Sequence, residues 1–171
     1  PGETRGDGAV EAGVVHALNG DASGIVVTDQ LFSGDTPGVK GRAEAEDKFG
    51  AALAAGDFDR DGYDELAVGV PGESRGSKWG SGQVQVLRGT GEGLSGTDST
   101  LIRQAGKAIP GDPDAGDDFG FALAVGDFNN NGRDDLAVGV PGESIGSLLG
   151  SGQVHVLLGR SEGISTVRTE I

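Results

Sequence analysis

From Asp57 to Glu65 the chain reads DFDRDGYDE, with acidic side chains at alternate places: counting Asp57 as position 1, Asp59 is 3, Asp61 is 5 and Glu65 is 9. Like charges this close repel, so an ordered chain keeps them together only around a cation, at a helix N-terminus or in full solvation. Alternation turns successive side chains toward one centre. Gly62 at position 6 permits a sharp turn, and the Tyr63 carbonyl at position 7 adds an oxygen. A second stretch, DFNNNGRDD, puts Asp127, Asn129, Asn131 and Asp135 at the same positions, with Gly132 and the Arg133 carbonyl between them. Every donor is an oxygen and no His or Cys is near, which points to a hard cation such as calcium and away from zinc or copper. An EF-hand is excluded, because its bidentate Glu at position 12 is replaced by Val68 and Val138. The competing reading is a pair of solvated, Asx-rich hairpin turns that hold no ion. The first set offers four carboxylates and the second two, so the first is expected to bind more tightly. Asp64, at position 8, falls outside the ligand set.

Something must place both loops alike, and that is a repeat of 70 residues. PGET at Pro1, PGES at Pro71 and PGES at Pro141 recur at that spacing. GVVHALNG from Gly13, GQVQVLRG from Gly82 and GQVHVLLG from Gly152 align, as do DKFGAALAAGDF from Asp47 and DDFGFALAVGDF from Asp117. Repeats of long period are supersecondary units that bury their faces against one another. Within a unit, FGAALAAGDF, ELAVGVP and GQVQVLRG are short, rich in Val, Leu and Ala, and bounded by Gly, Pro and Asp, which is a strand pattern. A fourth strand is expected at STLIRQ, Ser99 to Gln104, giving about four strands per unit, as in a propeller blade. Phe49 and Phe119 are then expected to pack between blades.

FGAALAAGDF followed by AVGVP resembles the FG-GAP repeat of integrin alpha subunits and many bacterial extracellular proteins. The resemblance covers nearly the whole chain. It implies an all-β fold, a β-propeller commonly of seven blades, with calcium-binding loops between the first and second strands of several blades. Carried onto this sequence, it implies two calcium sites on the ten residues just named. One departure is Glu65, since position 9 is commonly Asp. On this reading the chain holds about two and a half four-stranded blades. Residues 1–48 are the second half of a blade plus a connection, 49–118 a complete blade, and 119–171 a blade cut in its last strand.

Composition narrows the partners. A formal net charge of −14 opposes binding to a nucleic-acid backbone or an anionic membrane, and no apolar run reaches a membrane span. Absence of Cys rules out a disulfide framework, and 34 glycines without a Gly-X-Y period indicate many tight turns. Beginning at Pro1 with no Met, the chain is expected to be a processed or excised piece. Such an arc leaves strand edges open, so it is expected to associate with further blades, from copies of itself or from its parent protein.

Other motifs carry less. Arg5, Gly6 and Asp7 spell an adhesion tripeptide but align with RGS from Arg75 and IGS from Ile145, so repeat drift in a loop explains them. Trp79 aligns with Leu149; packing on the next blade is the expected role, an aromatic platform for sugar or peptide the other. His16 and His155 occupy equivalent strand positions outside any triad. Three classes stay open, in this order: an extracellular calcium-binding module for protein or glycan binding and adhesion, a non-catalytic propeller of a larger secreted enzyme, and an enzyme in its own right.

Overall fold

The computed structural model describes residues 10–104, 109 and 111–164. Among these every regular element is a strand: β1 Val15–Asp21, β2 Gly24–Phe32, β3 Ala52–Gly56, β4 Glu65–Val70, β5 Gln83–Thr90, β6 Gly93–Ile102, β7 Ala122–Gly126, β8 Asp135–Val140, β9 Gln153–Leu157, β10 Gly159–Arg160 and β11 Gly163–Ile164. They pair in chain order as antiparallel meanders: β1-β2, β3-β4-β5-β6, β7-β8-β9 and β10-β11. This is a partial β-propeller, with one four-stranded sheet among the described residues.

Equivalent registers recur in both units, with Gly56 opposite Glu65 and Gly126 opposite Asp135 at the mouths of the two acidic loops. The fourth strand begins earlier than STLIRQ. It leaves the hairpin at Gly93, pairs Arg88 with Ser95, shifts register between Val86 and Arg88, and resumes with Val86 opposite Thr100. The short β10-β11 ladder repeats the hairpin half of this pairing, with Arg160 opposite Gly163.

The four-stranded sheet is buried on both faces. Phe58, Val84, Val86 and Ile102 join Phe119, Leu136 and Val138 of the next blade in one core, while Val68, Val70 and Leu87 join Val15, Phe32 and Phe49 in another. Phe49 and Phe119 do pack between blades, 2% and 0% exposed. Gly13 and Gly82, at φ 81° and 77°, bring the neighbouring backbone so near that a Cβ would lie 2.3 Å from the carbonyl oxygens of Phe49 and Phe119. Only glycine fits there, on conformational and steric grounds together.

Candidate functional site

The first loop, 57–64, hangs between β3 and β4 and is built by its own carboxylates. Asp57 accepts the amides of Asp61 and Gly62, each at 3.0 Å; Asp59 also accepts from Asp61 at 3.0 Å; Asp61 accepts from Tyr63 at 2.9 Å. Arg60 and Gly62 take positive φ, 63° and 92°, to fold the turn. The result gathers carboxylate oxygens of Asp57, Asp59 and Asp61 within 4.8 Å of one another.

Glu65, the first residue of β4, is only 5% exposed. One oxygen, Oε2, accepts the Phe58 amide at 3.1 Å, and the other, Oε1, has no hydrogen bond. Burial pushes this carboxyl up to about 7; the Phe58 amide opposes the rise, and the Asp59 and Asp61 charges add to it. Asp59 and Glu65 line one small cavity with Arg88, whose Nη2 lies 3.5 Å from Asp61 and 4.0 Å from Asp59.

The second loop repeats the turn with a different balance of charge. Asp127 accepts Asn131 and Gly132 amides at 3.0 and 2.7 Å, and its carboxyl is held below the usual range chiefly by the Gly132 amide. Asn131 accepts from Arg133 at 2.8 Å, and Asn130 and Gly132 mirror the φ values of the first loop at 58° and 79°. Asp135 is fully buried and fully bonded. Phe128 and Gly159 amides each reach it at 2.9 Å, and the Asn129 amide donates to both of its oxygens at 3.1 and 3.3 Å. Gly89, the counterpart of Gly159, also lowers the Glu65 value through its amide, yet Oε1 makes no hydrogen bond like the 2.9 Å one that Gly159 gives Asp135.

Oxygen-only donors and the cluster of Asp57, Asp59 and Asp61 fit a hard cation at the first loop; Glu65, buried with an unbonded Oε1, shares a cavity with Asp59 but lies outside that cluster. The second loop repeats the turn, with the Asn129 amide bonded to Asp135. Of the backbone donors, Tyr63 and Arg133 are tied by their N–H groups to Asp61 and Asn131.

Among the other named residues, Trp79 is 76% exposed in the β4–β5 loop, and its carbonyl accepts the Gly116 amide at 2.8 Å. Arg5, Gly6 and Asp7 lie outside the described residues. His16 sits on β1 with Nδ1 2.9 Å from Asp29, and His155 is buried on β9 with its ring against Phe119 and its pKa lowered by burial.

Asp134 is the residue that spacing alone missed. Its Oδ2 accepts the Asp57 amide at 3.0 Å, and its own N–H donates to the Asp57 carbonyl at 3.2 Å, joining the two loops across the blade boundary. The only available signal was an Asp at position 8 of both loops, Asp64 and Asp134, which reads as surplus charge.

Two segments with this geometry, residues 49–87 and 119–157, match the FG-GAP repeat. The chain belongs with the integrin alpha-like FG-GAP β-propeller proteins. It is similar to phosphatidylinositol-glycan-specific phospholipase D of Rattus norvegicus, 38% identical over 116 residues that take in 68% of this chain and 14% of the relative. It is also similar to integrin alpha-PS5 of Drosophila melanogaster, 32% identical over 149 residues, covering 82% of this chain and 14% of that protein. Integrin alpha-4 of Xenopus laevis is 34% identical over 126 residues, 68% of this chain and 10% of its own length. The chain thus spans a small part of these curated relatives.

Proposed function

We propose that this chain is an extracellular, calcium-binding β-propeller module that binds protein or glycan and does no chemistry of its own. The observation that carries the reading is the cluster of Asp57, Asp59 and Asp61, with the buried Glu65, its Oε1 unbonded, on a cavity shared with Asp59. Asp57, Asp59, Asp61, Glu65 and the Tyr63 carbonyl would hold one ion; Asp127, Asn129, Asn131, Asp135 and the Arg133 carbonyl would hold a second, weaker one. Bound calcium would supply charge neutralisation and a rigid cross-link, not catalysis. Kinship with integrin alpha chains supports the extracellular setting and adhesion, and Trp79 is the exposed aromatic best placed to meet a ligand.

Melting in calcium against melting in chelator tests the reading. A site filled at about 100 times its Kd adds roughly 2.7 kcal/mol, or about 5–11 °C for a chain of this size. An unchanged melting curve would instead favour solvated Asx turns.

The exposed face around Gly152 fits a further FG-GAP blade. Gly152 continues the series of Gly13 and Gly82 at φ 74°, yet the three atoms nearest a Cβ there are all of Pro141 in its own blade, at 3.4–3.8 Å. Around it Phe121, Val140, Pro141 and Val154 line an open apolar recess. Phe49 and Phe119 are already buried in this chain, so a second copy has no free Phe-Gly to insert. A blade with its own Phe-Gly does. A second reading, a non-catalytic propeller within a secreted enzyme, is favoured by the 38% identity to a phospholipase D.

A further inference from the structure

We propose that Asp134 is a positioning residue that couples the two loops, so that an ion in the second loop tightens the first; this rests on the cation reading above. Asp57 occupies position 1 of the first loop, and both of its backbone polar groups are bonded to Asp134. Asp134 in turn stands between Arg133 and Asp135, positions 7 and 9 of the second loop. The clamp is close. A Cβ at Gly56 would come within 2.9 Å of Asp134 Oδ2 and 2.5 Å of Val125 Cγ1, so the residue before Asp57 has no side chain. At the loop tips the Arg60 guanidinium covers Gly132, 3.2 Å from where a Cβ would sit. Base hydrogen bonds and the Arg60 contact at the tip tie the two loop backbones to each other.

Coupling also requires that occupancy change something at the clamp. In the second loop the Asn129 amide donates to both oxygens of Asp135. To serve as a ligand, Asn129 must turn its oxygen inward and give up those bonds. Asp135 is then held by the ion and by the Phe128 and Gly159 amides, and the adjoining Asp134 peptide is fixed with it. Fixing Asp134 fixes Asp57, so the first loop meets its ion with less left to order.

Tyr63 is the only tyrosine and lies in the first loop, so terbium luminescence excited through it, in a Trp79→Phe background, reports chiefly on that loop. Displacement of Tb3+ by Ca2+ gives the first-loop affinity with and without Asn129→Ala. Coupling of ordinary size predicts that Asn129→Ala weakens the first loop by about fivefold or more. The same change should have no effect on the first loop in an Asp134→Ala chain, and its full effect in Asp134→Asn, which keeps an acceptor for the Asp57 amide. First-loop affinity indifferent to Asn129→Ala overturns the coupling, even if Asp134→Ala fails to fold. An equal loss with and without Asp134 overturns its role. Absence of any Tyr63-sensitised signal in the native loop overturns the cation reading itself, a distinguishable failure.

Discussion

Arg88 is the cation that the first loop already carries. Its guanidinium lies beside Asp59 and Asp61, and the aligned residue of the next unit is Leu158, so this counter-ion belongs to the first loop alone. A unit charge near 4 Å is worth about 1–4 kcal/mol at effective dielectrics of 80 to 20, and half-exposure of Arg88 puts the net value near the lower bound. Arg88→Leu should therefore tighten calcium at the first loop by about five- to tenfold in a calorimetric titration, the gain shrinking as salt rises. Weaker binding would mean that Arg88 props the carboxylates instead of competing for them. Ligand positions in both loops were readable from sequence because i, i+2 spacing and a glycine suffice to define a local turn. Arg88 and Asp134 were not, since each reaches the loops through tertiary pairing: one across the β4–β5 ladder, the other from the next blade.

At the scale of elements, the same strand position is buried in one blade and bare in the next. Val84 in β5 is 0% exposed, and its counterpart Val154 in β9 is 61% exposed. Val84→Ala should cost about 1–3 kcal/mol in denaturant unfolding, and Val154→Ala should stay within about 0.5 kcal/mol. Extending the protein by one more FG-GAP blade should bring the two costs together. If Val154→Ala stays neutral in the extended protein, the recess at Gly152 is not the seat of that blade. Strands β3, β4, β5 and their repeats were readable because Val, Leu and Ala runs end at Gly, Asp or Pro. The beginning of β6 was not: GLSGTDST has no alternation, and it pairs only because the Thr90–Gly93 hairpin delivers it alongside β5.

For the molecule as a whole, the excess of negative charge is partly buried between blades, away from the loops. Asp47, just before Phe49, is 3% exposed and takes the Glu44 amide at 2.6 Å, while Glu73 of PGES accepts from Gln83 at 3.1 Å. Both lie in one tight recess between the first two blades. Burial pushes Asp47 up to about 6, with the Glu44 amide opposing and the Glu44 and Asp35 charges adding. Burial likewise pushes Glu73 up to about 7, with Asp47 and Glu44 adding and Arg103 opposing. Folded values above the unfolded ones mean that the native state holds extra protons, so their stabilising contribution is complete below about pH 4. It is lost as pH rises through the folded values near 6 and 7. At about 1.4 kcal/mol per pH unit of displacement the two groups amount to a few kcal/mol. In chelator at fixed ionic strength, the melting temperature should therefore fall between pH 5 and pH 7.5. Glu73→Gln, which stays neutral and keeps an oxygen for Gln83, should raise the value at pH 7.5 and flatten the slope. A melting temperature that climbs over this range would show that these carboxylates are ionised in the fold and matched by positive charge, with Arg103 the first place to look.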